Sequence, residues 1–259
     1  MSFLAFHGKD IFSGTRLRFG YAQGIKEPSF EQSFGISGTF PTIPNPNLKP
    51  ETNEAIETGI EQGLFNNRVA LSALYFHNDF RDQIEFVVNS TTFVSQYVNF
   101  NQSLAQGAEV VLSGRIRNDL SLSASYTYTS TQIQQAPPCD PAAGCDPRIY
   151  GVGAPLLRRP KQAGNMLLTY TRPRWGADTG VIAVGRRPDS DFLFGYIPPI
   201  YYAAGYATVN FGGWYAFNRH ITAYADLDNA FNNHYNVVLG YPALGLNFRG
   251  GMRFRFGGE

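Results

Sequence analysis

Between Gly245 and Phe256 every second residue is apolar or glycine: Leu246, Phe248, Gly250, Met252, Phe254 and Phe256. The interleaved positions are Asn247, Arg249, Gly251, Arg253 and Arg255. Successive strand side chains point to opposite faces, so this segment has one greasy face and one cationic face. A soluble sandwich satisfies that pattern by burying one face and wetting the other. A barrel in a bilayer satisfies it by turning aromatics to lipid and arginines to the lumen. The rest of the chain decides.

Charged residues make up only 16% of the 259, while aromatics reach 15%, with 15 Tyr and 21 Phe. That balance is poor in charge for a soluble domain and suits a barrel with interfacial aromatic girdles. With 21 basic and 20 acidic residues the chain is nearly neutral, which gives no electrostatic case for nucleic acid. No run approaches the roughly 18 apolar residues of a membrane helix. The first ten residues, Met1 to Asp10, lack a basic leader, a long apolar core and a small-residue cleavage site. For an extracytoplasmic protein, the expectation is therefore a C-terminal part of something longer.

Ten strands are expected, at about 14–24, 52–63, 68–86, 94–115, 119–131, 161–172, 176–187, 201–216, 220–230 and 245–256. The alternation is cleanest from Leu120 to Thr129, where Leu, Ala and Tyr share one face and Ser and Thr the other. A second clean case sets Ile221, Ala223, Ala225 and Leu227 against Thr222, Tyr224, Asp226 and Asp228. Four connections are tight and built of turn formers: Phe65-Asn66-Asn67, Arg117-Asn118-Asp119, Pro173-Arg174-Trp175 and Phe217-Asn218-Arg219. The others are mostly long: 25–51, 132–160, 188–200 and 231–244, with a shorter one near 87–93. A meander whose loops alternate short and long has one trimmed rim and one elaborate rim. Outer-membrane barrels have this form, and a Greek-key sandwich does not sort its loops this way.

Seven short elements, in chain order, resemble the C-terminal half of a TonB-dependent outer-membrane receptor barrel. They are Gly24-Ile25-Lys26-Glu27-Pro28-Ser29-Phe30 with Phe34-Gly35; Asn45-Pro46-Asn47-Leu48-Lys49-Pro50-Glu51; and Glu57-Thr58-Gly59. Next come Tyr75-Phe76-His77-Asn78 with Asp82-Gln83-Ile84, and Tyr97-Val98-Asn99 with Gly107-Ala108-Glu109. Leu157-Arg158-Arg159-Pro160 and the closing Asp228-Asn229-Ala230-Phe231-Asn232, His234-Tyr235 and Gly240-Tyr241-Pro242 complete the series. The terminal Phe254-Arg255-Phe256 resembles an assembly signal, although Gly257-Gly258-Glu259 follow it.

The resemblance implies an all-β fold: an antiparallel meander forming about ten strands of a transmembrane barrel, incomplete without an N-terminal half and plug. The implied division is an N-terminal stub at 1–13 that could belong to a preceding strand, barrel wall at 14–256, and a tail at 257–259. The implied function is active transport across the outer membrane of a Gram-negative bacterium. Its ligand would be a ferric siderophore, cobalamin or a similar scarce nutrient. Its partners would be outer-membrane lipid, the plug, the other barrel half and, through the plug, the TonB complex. Two rivals are a passive porin-like channel and a soluble carbohydrate-binding β-sandwich.

For individual residues the bland and sharp readings differ. Asn45, Pro46, Asn47, Leu48, Lys49, Pro50 and Glu51 read as a rigid loop-to-strand junction, since the two prolines preset the backbone, rather than as a ligand contact. Arg249, Arg253 and Arg255 are expected to form lumen ion pairs with Asp226 and Asp228 on the neighbouring strand. Arg158, Arg159 and Arg187, at the outer rim, contact lipid headgroups or an acidic chelate. The aromatics Phe192, Phe194 and Tyr196 form a girdle or a stacking surface, and Tyr241 joins the candidate ligand contacts. Cys139 and Cys145, in a long external loop, suggest a disulfide more than a metal site. No cofactor is expected. The four histidines are scattered, with no HExxH, nucleophile elbow or phosphate loop, so no enzyme is expected.

Overall fold

The computed structural model describes residues 2–5, 12–35, 42–88, 94–137, 147–190 and 200–256. Its elements are β1 (Ser2–Ala5), β2 (Phe12–Lys26), α1 (Phe30–Phe34), β3 (Thr42–Ile43), β4 (Glu51–Leu64), β5 (Val69–Val88) and β6 (Ser95–Arg117). There follow β7 (Leu120–Gln135), α2 (Pro147–Tyr150), β8 (Gln162–Thr171), β9 (Trp175–Val184), β10 (Arg187–Ser190) and β11 (Ile200–Ala203). The chain closes with β12 (Tyr206–Ala216), β13 (Ile221–Asp228), β14 (Asn236–Val238), β15 (Tyr241–Pro242) and β16 (Asn247–Phe254).

Twelve strands join one sheet, in the order β1-β2-β4-β5-β6-β7-β8-β9-β12-β13-β16, with β3 attached in parallel to β6. All neighbours along that path are antiparallel, as a meander requires. The ten expected segments correspond to β2, β4, β5, β6, β7, β8, β9, β12, β13 and β16. The stub contributes one further strand, β1, which pairs with the start of β2.

The differences lie at the long-loop rim. The segment expected at 201–216 is two strands, β11 and β12, broken at Ala204 and Gly205. There the chain passes so close to its neighbour that a Cβ on Gly205 would lie 2.8 Å from the Val184 carbonyl oxygen. Likewise the segment expected to run to 187 ends at Val184, and Arg187 opens the separate hairpin β10–β11. A second small hairpin, β14–β15, occupies the last long connection.

Register carries each alternation from strand to strand, because paired residues share a face. Ile221, Ala223 and Leu227 lie opposite Phe254, Met252 and Phe248, while Thr222 and Asp226 lie opposite Arg253 and Arg249. Followed leftward, the apolar face takes in Phe211 and Tyr215, then Val181 and Trp175, then Met166 and Leu168, then Leu122, Ala124 and Tyr126. It ends on Leu17, Phe19 and Tyr21 of β2, which lie opposite Ile60, Thr58 and Ile56. Tyr21, Tyr75, Tyr126 and Tyr128 mark one edge of this band, and Tyr170, Trp175, Tyr215 and Phe254 the other.

Neither face has a second layer among the described residues. Ile84, Ile149 and Ala154 are the buried hydrophobics, whereas Phe19, Tyr21, Tyr126, Phe211, Phe248, Met252 and Phe254 are all exposed. Water would oppose so much uncovered apolar surface, and a bilayer would solvate it. The sandwich alternative needs a facing sheet, and this sheet has none among the described residues.

The trimmed rim is made by local chemistry. Phe65, Asn66 and Asn67 take left-handed φ values of 53°, 57° and 60°, a region asparagine tolerates well. At the last tight turn the Asn218 side-chain oxygen accepts from the His220 and Ile221 backbone N–H groups, at 2.8 and 3.0 Å. At the other rim β5 and β6, with 20 and 23 residues, far exceed the roughly 9–11 needed to span a bilayer. Their upper halves therefore stand above the wall.

Candidate functional site: the polar face and the long-loop rim

The polar face of the wall is lined with ion pairs. Glu61 receives Arg18 and, at 3.6 Å, Arg16; Lys26 meets Glu51 at 3.0 Å; Arg249 meets Asp228 at 2.9 Å. Asp226 is the residue directly opposite Arg249 in register, yet the guanidinium reaches diagonally to Asp228. Diagonal neighbours on one sheet face are within reach of a long side chain. Arg253 lies opposite Thr222, and Arg255 donates its backbone N–H to the His220 carbonyl at 2.9 Å. The Arg249 pair is substantially exposed, 62% and 37% for its two side chains, so it stabilises the wall by less than about 1 kcal/mol.

The segment from Asn45 to Glu51 is a clamp on the projecting β5–β6 pair. Asn45 donates its side-chain amide to the Tyr97 carbonyl at 2.9 Å, and its oxygen accepts from Asn47 N–H at 3.2 Å. Asn99 accepts from Lys49 N–H at 2.7 Å and donates to Lys49 O at 2.8 Å and Asp82 O at 2.7 Å. Asp82 sits at a bulge with φ 53°, where the β5–β6 register shifts between Phe80 and Gln83. Glu51 completes the clamp by accepting from Ile84 N–H at 3.2 Å. Sequence reading placed the Asn45–Glu51 and Tyr97–Asn99 elements separately; their mutual hydrogen bonding has no signature in either alone. Just above, Glu85 is exposed as a residue, but partial desolvation of its carboxyl pushes the group up from its ordinary range, against a hydrogen bond from Asn101.

Around Arg187 the long-loop rim is polar and packed. Arg187 is 3% exposed and donates Nη2 to the Asn236 carbonyl, at 2.7 Å, and to that of Val237. Its guanidinium carbon lies 5.7 Å from the Tyr206 ring centroid, and Tyr206 stacks on Tyr235 at 3.8 Å. Asp189 is fully buried; it accepts from Arg158 Nε at 2.9 Å and from Leu239 N–H at 2.8 Å. These bonds join the two rim hairpins to each other and to the loop before β8. Arg186 lies over the Tyr202 ring at 4.2 Å, a cation–π contact.

Of the residues singled out in the sequence, Arg158 and Arg187 are brought to this cluster. Arg159 and Tyr241 are exposed at the same rim. Phe192, Phe194, Tyr196, Cys139 and Cys145 lie outside the described residues. Asp189 was missed, because a lone acid after a proline carries no pattern. Asn229 was quoted only as part of a motif; it is 4% exposed, bonded to Asn210, Asn233 and Leu244, and knots the end of β13.

Among the described residues this arrangement sets no nucleophile beside a base. Among the described residues no group of three or more His, Cys, Asp or Glu could hold a metal ion. Nor, among the described residues, is any helix long and apolar enough to cross a membrane. The spanning elements here are strands.

Comparison with known proteins gives the same picture. A family model described as "TonB dependent receptor-like, beta-barrel" matches residues 7–230. The "Iron-regulated outer membrane virulence protein" of Vibrio cholerae is 27% identical over 254 residues, covering 92% of this chain and 36% of that protein. The "Probable TonB-dependent siderophore receptor PiuA" of Acinetobacter baumannii is 22% identical over 217 residues, covering 83% and 28%. The crystal structure of the siderophore receptor PirA from Acinetobacter baumannii superposes with a TM-score of 0.69 at 18% identity, over 96% of this chain and 40% of that one. The chain thus spans about a third of the length of the curated relatives it matches.

Proposed function

Since the chain belongs to the TonB-dependent receptor β-barrel family, we propose that it forms the C-terminal part of the barrel wall of an active importer in a Gram-negative outer membrane. Residues 14–256 make the wall, the stub at 1–13 extends it through β1, and 257–259 form a tail. The family is one of transport receptors, not of enzymes. The ligand is a large scarce nutrient: a ferric siderophore first, with cobalamin or a similar chelate as the alternative. Plug, N-terminal barrel half and TonB complex are its partners.

One observation carries this reading. A single antiparallel sheet exposes a continuous apolar band on one face and ion pairs on the other, with short turns at one rim and long connections at the opposite one. A bilayer accepts such a sheet when its edges are paired, because unpaired backbone groups find no water there. The edge strands β1 and β16 are accordingly where the remainder of a barrel joins.

The test is uptake of radiolabelled ferric siderophores and cobalamin by iron-starved cells, with and without the gene carrying this chain. Energy-dependent accumulation of one ligand, lost on deletion and on loss of the TonB complex, is expected. Uptake unaffected by an uncoupler would instead support the porin-like channel.

A further inference from the structure

The trimmed rim carries a charge pattern that neither transport nor ligand capture uses. Every one of the four tight connections contains or adjoins an arginine: Arg68, Arg117, Arg172 with Arg174, and Arg219. Asp119 is the lone acid among them. The arginines stand beside the lower aromatic row of the apolar face, Tyr170, Trp175 and Tyr215, in which Trp175 lies directly opposite Tyr215.

Two neighbouring turns form the centre of this pattern. Arg172 donates Nε to the Tyr170 hydroxyl at 2.6 Å, and its guanidinium carbon lies 5.3 Å from the ring centroid. The Arg117 guanidinium carbon is 5.8 Å from the same ring. Trp175 leans against Tyr170 at 5.0 Å. The Asp119 carboxylate ties the two arginines together, accepting from Arg117 Nε and, at 2.9 Å, meeting Arg172 Nη2. Both guanidiniums remain about half exposed or more, 62% and 49%. Between the turns lies a shallow, open cleft of about 360 Å³ lined by Arg117, Asn118, Asp119, Thr171, Arg172 and Pro173.

We propose that this rim is a docking collar for anionic phospholipid, with the phosphodiester headgroup held in the cleft between the β6–β7 and β8–β9 turns. The inference rests on the reading that the apolar band lies in a bilayer. Asp119 fixes the two forks and holds the like-charged guanidiniums side by side against their mutual repulsion. Their exposed guanidinium edges then match phosphate oxygens, which arginine binds in a two-pronged geometry. The lower aromatic row sits where acyl chains meet headgroups, so the acceptor is a lipid and not a soluble acidic protein. One net positive charge remains at the pair, and Arg174 adds another in the same turn.

The test uses the complete receptor that carries this chain, in nanodiscs of phosphatidylcholine containing brominated phosphatidylglycerol or, separately, brominated phosphatidylcholine. Trp175 fluorescence reports headgroup choice, in a background where every other tryptophan, Trp214 of the polar face included, is replaced by phenylalanine. Quenching favouring phosphatidylglycerol is expected, by about fivefold for each arginine engaged. The Arg117→Gln/Arg172→Gln double variant should lose that preference, and Lys26→Gln at the opposite rim should keep it. If the double variant does not fold, judged by heat-dependent gel mobility, Arg174→Gln/Arg219→Gln should lower the preference instead. Equal quenching by both lipids overturns the collar and leaves the membrane reading standing. No quenching by either overturns both. Loss of the preference on adding millimolar glycerophosphate would mean a soluble phosphoanion site, which also overturns the lipid assignment.

Discussion

The Asn99 side chain exchanges two hydrogen bonds with the Lys49 backbone, 2.7 Å to its N–H and 2.8 Å to its carbonyl, across 50 residues of chain. A primary amide is the one side-chain group that can both accept and donate in this way while also serving Asp82 O. Asn99→Ala should destabilise the clamp by about 1–3 kcal/mol. The expected readout is faster amide exchange and proteolysis across 44–50, with the wall below protected as before. Asn99→Asp should be no milder, because a carboxylate would face two carbonyl oxygens. A wild-type exchange pattern in Asn99→Ala would show the clamp to be held by Asn45 and Glu51 alone.

The two faces of β7 should respond oppositely to charge. Ala124 lies on the apolar face, level with Met166, midway between the two aromatic rows. Ala124→Arg should cost about 2–4 kcal/mol in refolding titrations into lipid vesicles. Ser123→Arg, one residue away and facing the ion-paired side, should stay within about 0.5 kcal/mol of the parent. Equal costs at the two positions would contradict the assignment of faces.

How much of this was legible beforehand differs by region. The wall was, since Leu120–Thr129 and Ile221–Asp228 alternate without interruption and Phe65-Asn66-Asn67 and Phe217-Asn218-Arg219 are built of turn formers. Faces followed from period two alone, and the register then matched Phe248 to Leu227 and Arg249 to Asp226. The rim was not legible. Hairpins β10–β11 and β14–β15 are too short to alternate, and the break at Gly205 is set by the nearby Val184 carbonyl, a contact between distant residues. Partner choice was also hidden: Asp226 and Asp228 were equal candidates for Arg249, and only the reach of the side chain selects Asp228.

Glu85 gives the projecting β5–β6 pair a pH dependence. Partial desolvation of the carboxyl raises its folded-state pKa above the unfolded value, so the folded chain binds the proton more tightly. Stability there is greatest below the unfolded pKa and declines as pH rises through the folded one. Glu85→Gln should remove this decline and raise protection of residues 94–101 at neutral pH. Hydrogen exchange at two pH values, one on each side of the window, measures it.

Asp119 titrates with the opposite sign. The Arg117 guanidinium beside it holds the carboxyl below its usual range. Its contribution is present above the unfolded pKa and is lost as pH falls through the folded one. Arg117→Gln should let the Asp119 carboxyl band in an infrared titration move toward ordinary carboxylate pH. An unchanged titration would mean that Arg172 sustains the shift alone.

Arg187 and Asp189 grip backbone atoms, the carbonyls of Asn236 and Val237 and the N–H of Leu239. Nearly every amino acid supplies those atoms; proline at 239 would be the exception. The tip hairpin is thus seated in a socket indifferent to what its side chains are. Side chains along 236–242 can therefore be exchanged while the seat and the wall beneath stay as they are. Variation and stability are decoupled at this rim.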